Sequence, residues 1–160
     1  MTSYGITGHI NISAETVPLI DKALRGLLAD IAPHELTGYS CLAAGADAIF
    51  ARAVLDLGGR LVVLLPSADY GVAKVGPEYR ESFDHLIAHA AEVRVMPFRV
   101  ASEDAYAAAN DALIAAADVV FAVWDGIATP SRGGTAQVVA KARAVGTPVR
   151  VIWPQGAERG

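Results

Sequence analysis

Val119-Val120-Phe121-Ala122-Val123-Trp124-Asp125-Gly126, followed by Arg132-Gly133-Gly134-Thr135 and the helical run Ala136 to Val145, is the stretch on which the chain turns. Five apolar residues in a row suit a strand covered on both faces. Two adjacent glycines let a backbone approach a ligand with no Cβ in the way. The N–H groups that open the next helix lack intrahelical partners and favour an anion. Strand, glycine loop, helix is therefore a phosphate-site arrangement, and the rest of the chain has to agree with it.

Working outward, apolar runs alternate with helical patterns. Tyr4 to Thr7 reads as a first strand, and Ser13 as the cap of a helix carried by Val17, Ile20, Leu24, Leu27, Leu28 and Ile31 and ended by Pro33. Leu36 to Leu42 is a second strand. The next helix buries Ala46, Ile49, Phe50, Ala53, Val54 and Leu57 and is capped by Gly58-Gly59. Leu61 to Leu65 is a third strand stopped by Pro66, and Ser67 to Pro77 reads as a loop. A helix at Tyr79 to Ala90, a strand at Val93 to Met96 and a helix capped by Ser102 precede the opening strand, and Pro148 to Ile152 is the last. Six strands alternating with five helices predict an α/β chain: a Rossmann-like, three-layer, doubly wound and mostly parallel sheet. A single domain is expected over 1–154, with 155–160 as a tail.

The 160 residues are 53% apolar and 19% charged, which excludes a disordered chain. The net charge of −4 and the absence of a Lys/Arg cluster argue against a nucleic-acid partner. One cysteine, Cys41, rules out an internal disulfide and a multi-cysteine metal site; it reads as buried packing inside the second strand. No leader is recognisable, and Asp118 interrupts the longest apolar stretch, so no membrane span is expected and the cytoplasm is the default location.

Ligands of parallel sheets bind at the strand C-termini near the switch point. Three loops following strands hold the candidate ligand-binding residues. The first holds Gly5, Thr7, Gly8 and His9, where close backbone approach competes with a plain tight turn. His9 offers a phosphate contact, an acid or base near neutral pH, or a structural hydrogen bond. The second holds Ala44, Gly45 and Asp47; the aspartate is either a ribose contact or a helix cap. The third holds Trp124, Asp125, Gly126, Arg132, Gly133, Gly134 and Thr135. There the indole offers stacking or packing, the Asp-Gly a sugar contact or a turn, and Arg132 a phosphate pair or a solvated charge. Tyr70 and Tyr79 flank a glycine-bearing loop placed to cover the crevice. Tyr106 and Asn110 lie a turn apart on one helix, and Asp118, at the opposite strand end, reads as structural. No catalytic set, metal or cofactor is implied by these residues.

In this order and spacing, Gly5-Ile6-Thr7-Gly8-His9, Leu42-Ala43-Ala44-Gly45-Ala46-Asp47 and Val123-Trp124-Asp125-Gly126 with Gly133-Gly134-Thr135-Ala136 resemble the SLOG superfamily. That group unites the DNA-processing (Smf) proteins, the cytokinin-activating "Lonely guy" enzymes and standalone nucleotide-binding proteins. The resemblance implies a Rossmann-like fold and a nucleotide or nucleotide-derived ligand, with phosphate around Gly8, Gly45, Gly133, Gly134 and Thr135. It also implies a tendency to self-associate. The departures are specific. Ile10 stands where many relatives have arginine. Val138, beside Gln137, stands where the hydrolase branch has glutamate. Asn110 falls near that branch's arginine. The leading expectation is a nucleotide-binding or sensor module. The alternatives are cleavage of the N-glycosidic bond of nucleoside monophosphates through Asp47 or Asp125, and an assembly role as a homo-oligomer.

Overall fold

A computed structural model of the chain describes residues 2–128 and 134–160. Six parallel strands form one sheet: β1 (Thr2–Gly8), β2 (Leu36–Ser40), β3 (Arg60–Leu65), β4 (Glu92–Val95), β5 (Val119–Val123) and β6 (Val149–Ile152). Their spatial order is β4-β3-β2-β1-β5-β6. Successive connections move outward from β1 to β4, and the next one returns to place β5 on the free side of β1. The switch point therefore lies between β1 and β5. This is the Rossmann-like α/β architecture read from the alternation of elements.

Alternation within the strands divides the core in two. In β3, Leu61 and Val63 face one layer and Val62 and Leu64 the other, and all four are fully buried. The first layer holds α1 (Thr16–Leu28), α2 (Ala46–Asp56) and α4 (Pro77–His89), through Ile20, Leu24, Leu28, Phe50, Val54, Phe83 and Leu86. The second holds α5 (Glu103–Ala116) and α6 (Thr135–Ala144), through Leu113, Ile114, Val138 and Ala142. Both edge strands are only four residues long, and Glu92 pairs with Arg94 on β4. Short, charged edges discourage further strand pairing.

Local chemistry explains most boundaries. The Ser102 hydroxyl accepts the Ala105 N–H at 3.1 Å and starts α5 as expected. Asp118 accepts the Ser3 N–H at 2.8 Å and ties the N-terminal ends of β5 and β1 together. Three readings change. Helix α1 begins at Thr16, because Ser13 closes a separate turn by accepting the Thr16 N–H on its hydroxyl at 3.2 Å. The stretch Ser67 to Pro77 holds a one-turn helix, α3 (Tyr70–Ala73), so the described residues carry six α-helices. That turn is anchored: Asp69 accepts the Ser67 hydroxyl and the Ala101 N–H, and Arg80 donates to the carbonyls of Gly71 and Val75. Third, residues 158–160 hydrogen-bond back onto the segment between β1 and α1. Among the described residues no helix is long and apolar enough to cross a membrane.

Close packing of α2 on β2 depends on a missing side chain at Gly38. A Cβ there would sit 2.7 Å from Val54 Cγ2 and 2.9 Å from Phe50 Cε2. Both neighbours are buried, so relief has to come from displacing the helix. Gly38→Ala is expected to destabilise the fold by about 1–3 kcal/mol. A urea midpoint lowered at unchanged slope checks this; an unaltered midpoint contradicts the packing argument.

Candidate functional site

The C-terminal ends of β1, β2 and β5 open into one cleft of about 540 Å³. The first loop contributes Thr7, Gly8, His9, Ile10 and Asn11, and the second Cys41, Ala43, Ala44 and Asp47. Trp124 and Ile127 come from the third, and Gly134, Thr135 and Ala136 from the start of α6. The opposite side is built by Tyr70, Lys74, Glu78 and Tyr79, with Tyr106 and Asn110 from α5, while Arg159, from beyond β6, stands beside the third loop.

His9 joins the first loop to the third. Its N–H donates to the Val123 carbonyl at 3.1 Å, and its carbonyl accepts the Ala46 N–H at 3.2 Å. Its ring Nε2 lies 3.1 Å from the Asp125 backbone nitrogen and 3.4 Å from Asp125 Oδ1. Those contacts demand opposite protonation states, since the first needs a lone pair on Nε2 and the second a proton. Burial lowers the imidazole pKa and the nearby Arg159 charge lowers it further, against the pull of Asp125. The ring is therefore the neutral tautomer with its proton on Nδ1, accepting the Asp125 N–H. The structural hydrogen bond expected as one reading of His9 is present, and the residue also lines the cleft. Gly8 is tight as well: a Cβ would lie 2.5 Å from Ala46 Cβ and 2.8 Å from Val123 Cβ. Gly5 does not line the cleft; it makes room for Leu113 of α5, 2.6 Å from where its Cβ would be.

The second loop bends sharply. Gly45 has φ +84°, and a Cβ there would meet the carbonyl oxygens of His9 and Ile10 at 2.5 and 2.6 Å. The residue serves the contact between two loops and is not itself on the cleft wall. Leu42 takes φ 54°, a left-handed conformation costly for a branched side chain. It is held there by burial, by the Ser40 hydroxyl on its N–H (3.1 Å) and by the Tyr79 hydroxyl on its carbonyl (3.0 Å). Asp47, only 7% exposed, accepts the Ala43 N–H at 3.3 Å. Burial pushes its carboxyl up to about 7, against that hydrogen bond. Burial, with the Asp47 charge second, also raises the Cys41, Tyr70 and Tyr79 groups. Cys41 stands just past the end of β2 and is half-buried: it packs against the second-layer core as expected and also reaches the cleft wall. Its thiol stays protonated at neutral pH.

The third loop is largely committed to itself. Trp124 Nε1 donates to the Ile127 carbonyl at 3.1 Å, and Asp125 Oδ1 accepts the Ile127 N–H at 3.0 Å around Gly126. Asp125 also faces Arg159 Nη1 at 3.6 Å from Oδ2. Burial would raise its carboxyl pKa, but the Ile127 N–H and the Arg159 charge hold it below the ordinary value. Asp125 is thus an ionised turn-former, and neither it nor Gly126 is on the cleft wall. Gly134 is the N-cap residue of α6, with Thr135 and Ala136 next, all on the cleft. Arg132 and Gly133 lie outside the described residues. Val138 is buried in the second layer, which accounts for an apolar residue at that position.

Sequence reasoning missed three charged residues of the cleft: Lys74, Glu78 and Arg159. Lys74 lies within a segment read as a plain loop, and Glu78 just after it. Arg159 had no signal at all, because nothing in its spacing says that the segment after β6 folds back.

No family model matches the chain, and no curated protein matches it. Solved structures share the fold. DNA processing protein A from Streptococcus pneumoniae superposes with a TM-score of 0.69 at 17% identity, over 98% of this chain and 52% of that one. The Helicobacter pylori protein of the same name, whose structure describes a single-stranded DNA binding mode, gives 0.67 at 18%, over 99% and 68%. The molybdenum cofactor binding protein of Rippkaea orientalis gives 0.61 at 18%, over 94% and 75%. The chain thus spans about half the length of the Streptococcus protein. At these identities the likeness shows a shared fold, the Rossmann-like α/β architecture described above. One expectation is corrected. An acidic balance does not argue nucleic acid away, because a single-stranded-DNA binder carries this same fold. Net charge averages a whole surface, whereas recognition depends on the local field of a cleft.

The raised Asp47 carboxyl makes stability depend on pH. A folded pKa of about 7 against an ordinary 3.8 means the native state holds a proton that the unfolded chain releases. Its contribution is full below pH 3.8 and is lost as pH rises through about 7. Asp47→Asn is expected to leave stability near wild type at pH 4. At pH 8 the variant is expected to be the more stable by a few kcal/mol, since each tenfold change in proton affinity is worth roughly 1.4 kcal/mol. Paired urea titrations at the two pH values check this. A constant difference would show that Asp47 ionises normally.

Proposed function

We propose that this chain binds a small phosphate-bearing ligand, a nucleotide or nucleotide-derived molecule, in the cleft at the β1–β5 switch point. One observation carries the reading: three strand-end loops and the start of a ten-residue helix converge on a single cleft of about 540 Å³. That volume suits a ligand of nucleotide size. The opening N–H groups of α6 favour an anion, and Gly8 and Gly134 leave backbone accessible. Tyr70, Tyr79 and Tyr106 on the far side offer ring surface to an aromatic base. Two of the proteins that share the fold bind molybdenum cofactor and single-stranded DNA, respectively. A test panel therefore includes an oligonucleotide beside the mononucleotides.

A second reading, cleavage of an N-glycosidic bond, is favoured by one feature. Asp47 combines a place on the cleft wall with a carboxyl near pKa 7, which is what a general acid requires. Asp125, committed to its own turn and held ionised, does not fill that role. Release of free base from a nucleoside monophosphate, abolished by Asp47→Asn, would select this reading over a pure binding module.

Thermal unfolding with mononucleotides and a short oligodeoxynucleotide tests the binding. At a hundredfold excess over Kd, a native-state ligand adds about 2.7 kcal/mol, or roughly 5–10 °C in a chain of this size. Gly134→Asp places a capping carboxylate at the start of α6, so the helix is not weakened while an anion is repelled. The expected result is a shift with at least one phosphate-bearing probe that Gly134→Asp removes. Silence across the whole panel would end the proposal.

A further inference from the structure

Residues beyond β6 are not an idle extension. Glu158 accepts the Ser13 N–H on its carbonyl at 3.1 Å and donates its own N–H to the Thr16 hydroxyl at 2.7 Å. Gly160 donates to the Asn11 carbonyl at 3.2 Å. Trp153 sets its ring edge-on to His9, with centroids 5.5 Å apart. The backbone on both sides of Arg159 is thereby fixed to the segment that follows β1. The guanidinium is carried to the cleft wall beside the third loop.

There it is under-used. Its partner among the described residues is Asp125 Oδ2 at 3.6 Å, well beyond the 2.7–2.9 Å of a charge-assisted hydrogen bond. Asp125 already accepts the Ile127 N–H. A guanidinium has five N–H donors in a planar fork that matches phosphate oxygens. This one is 43% exposed at its side chain and opens onto the same cleft as the first turn of α6. Lys74 is the other lysine or arginine among the described residues of the cleft, and it comes from the opposite side.

We propose that the segment after β6 holds Arg159 at the ligand site and that Arg159 takes the ligand's phosphate group, with Asp125 holding the guanidinium in place until it does. The proposal rests on the reading of the cleft as a phosphate site. It supplies a cation to a cleft whose first loop contributes no lysine or arginine. The chemistry recognised is a phosphate monoester, whether on a nucleotide or free.

Calorimetric titration of the full chain with four nucleoside monophosphates, the matching nucleosides and inorganic phosphate tests it. Arg159→Gln, which keeps length and polarity without the charge, is expected to weaken the best monophosphate by about 10- to 100-fold while leaving its nucleoside unchanged. Arg159→Lys, a point charge without the fork, falls between the two. An equal effect on inorganic phosphate alone would support Arg159 and name free phosphate as the source. If wild type binds a monophosphate and Arg159→Gln binds it equally well, the role of Arg159 is overturned while the phosphate site stands. If wild type binds no phosphate-bearing probe, the reading of the cleft falls and this proposal falls with it.

Discussion

The closest approach of three elements, at Gly8, Val123 and Ala46, is the constraint on which the rest depends. β1 and β5 run parallel to their last paired residues, Gly8 and Val123. The first helical residue of α2 presses on the same point. A side chain on Gly8 would occupy the space of both neighbours, so the junction closes only around glycine. Once it is closed, the His9 N–H reaches the Val123 carbonyl, the His9 carbonyl reaches the Ala46 N–H, and the imidazole reaches the Asp125 backbone. Three loops that are far apart in sequence are then held by one residue. The cleft is the space left between them and the α3–α4 segment opposite.

Two aspartates show how environment divides roles that look equivalent in a sequence. Asp47 and Asp125 each follow a strand in a small-residue loop, and each reads as either a sugar contact or a local structural group. Asp125 sits among donors and a guanidinium, which hold it charged despite burial. Asp47 has one backbone donor at 3.3 Å and an otherwise poorly solvated setting, so its charge is disfavoured. The difference lies in what surrounds each carboxylate: the Ile127 N–H and the distant Arg159 for Asp125, burial for Asp47.

Much of the architecture was legible because it is written in short-range terms. The unbroken apolar run of β3 means burial on both faces, the Ser102 hydroxyl means a helix start, and strict alternation means parallel strands. Strand order was not legible, since helical crossovers of similar length serve either side of β1. The glycines at 5 and 45 looked alike to Gly8 on paper. Their separate duties, to α5 and to the first loop, depend on which neighbour each one meets. Tyr70 and Tyr79 were visible as aromatics near a glycine loop, but the anchored turn between them was not, because its anchors, Arg80 and Ala101, lie outside it.

The fold and its cleft are separable. All six strands and both helical layers are complete by Ile152, and the contacts of residues 158–160 add nothing to the sheet. Yet the bond from Glu158 to Thr16 spans 142 positions and fixes the segment that brings Arg159 to the cleft. A fragment stopping after β6 would retain every strand pairing and lack that arginine. Cooperative unfolding or a native-like circular dichroism spectrum therefore reports on the scaffold alone, and two preparations indistinguishable by either measure can differ in whether the cleft is whole.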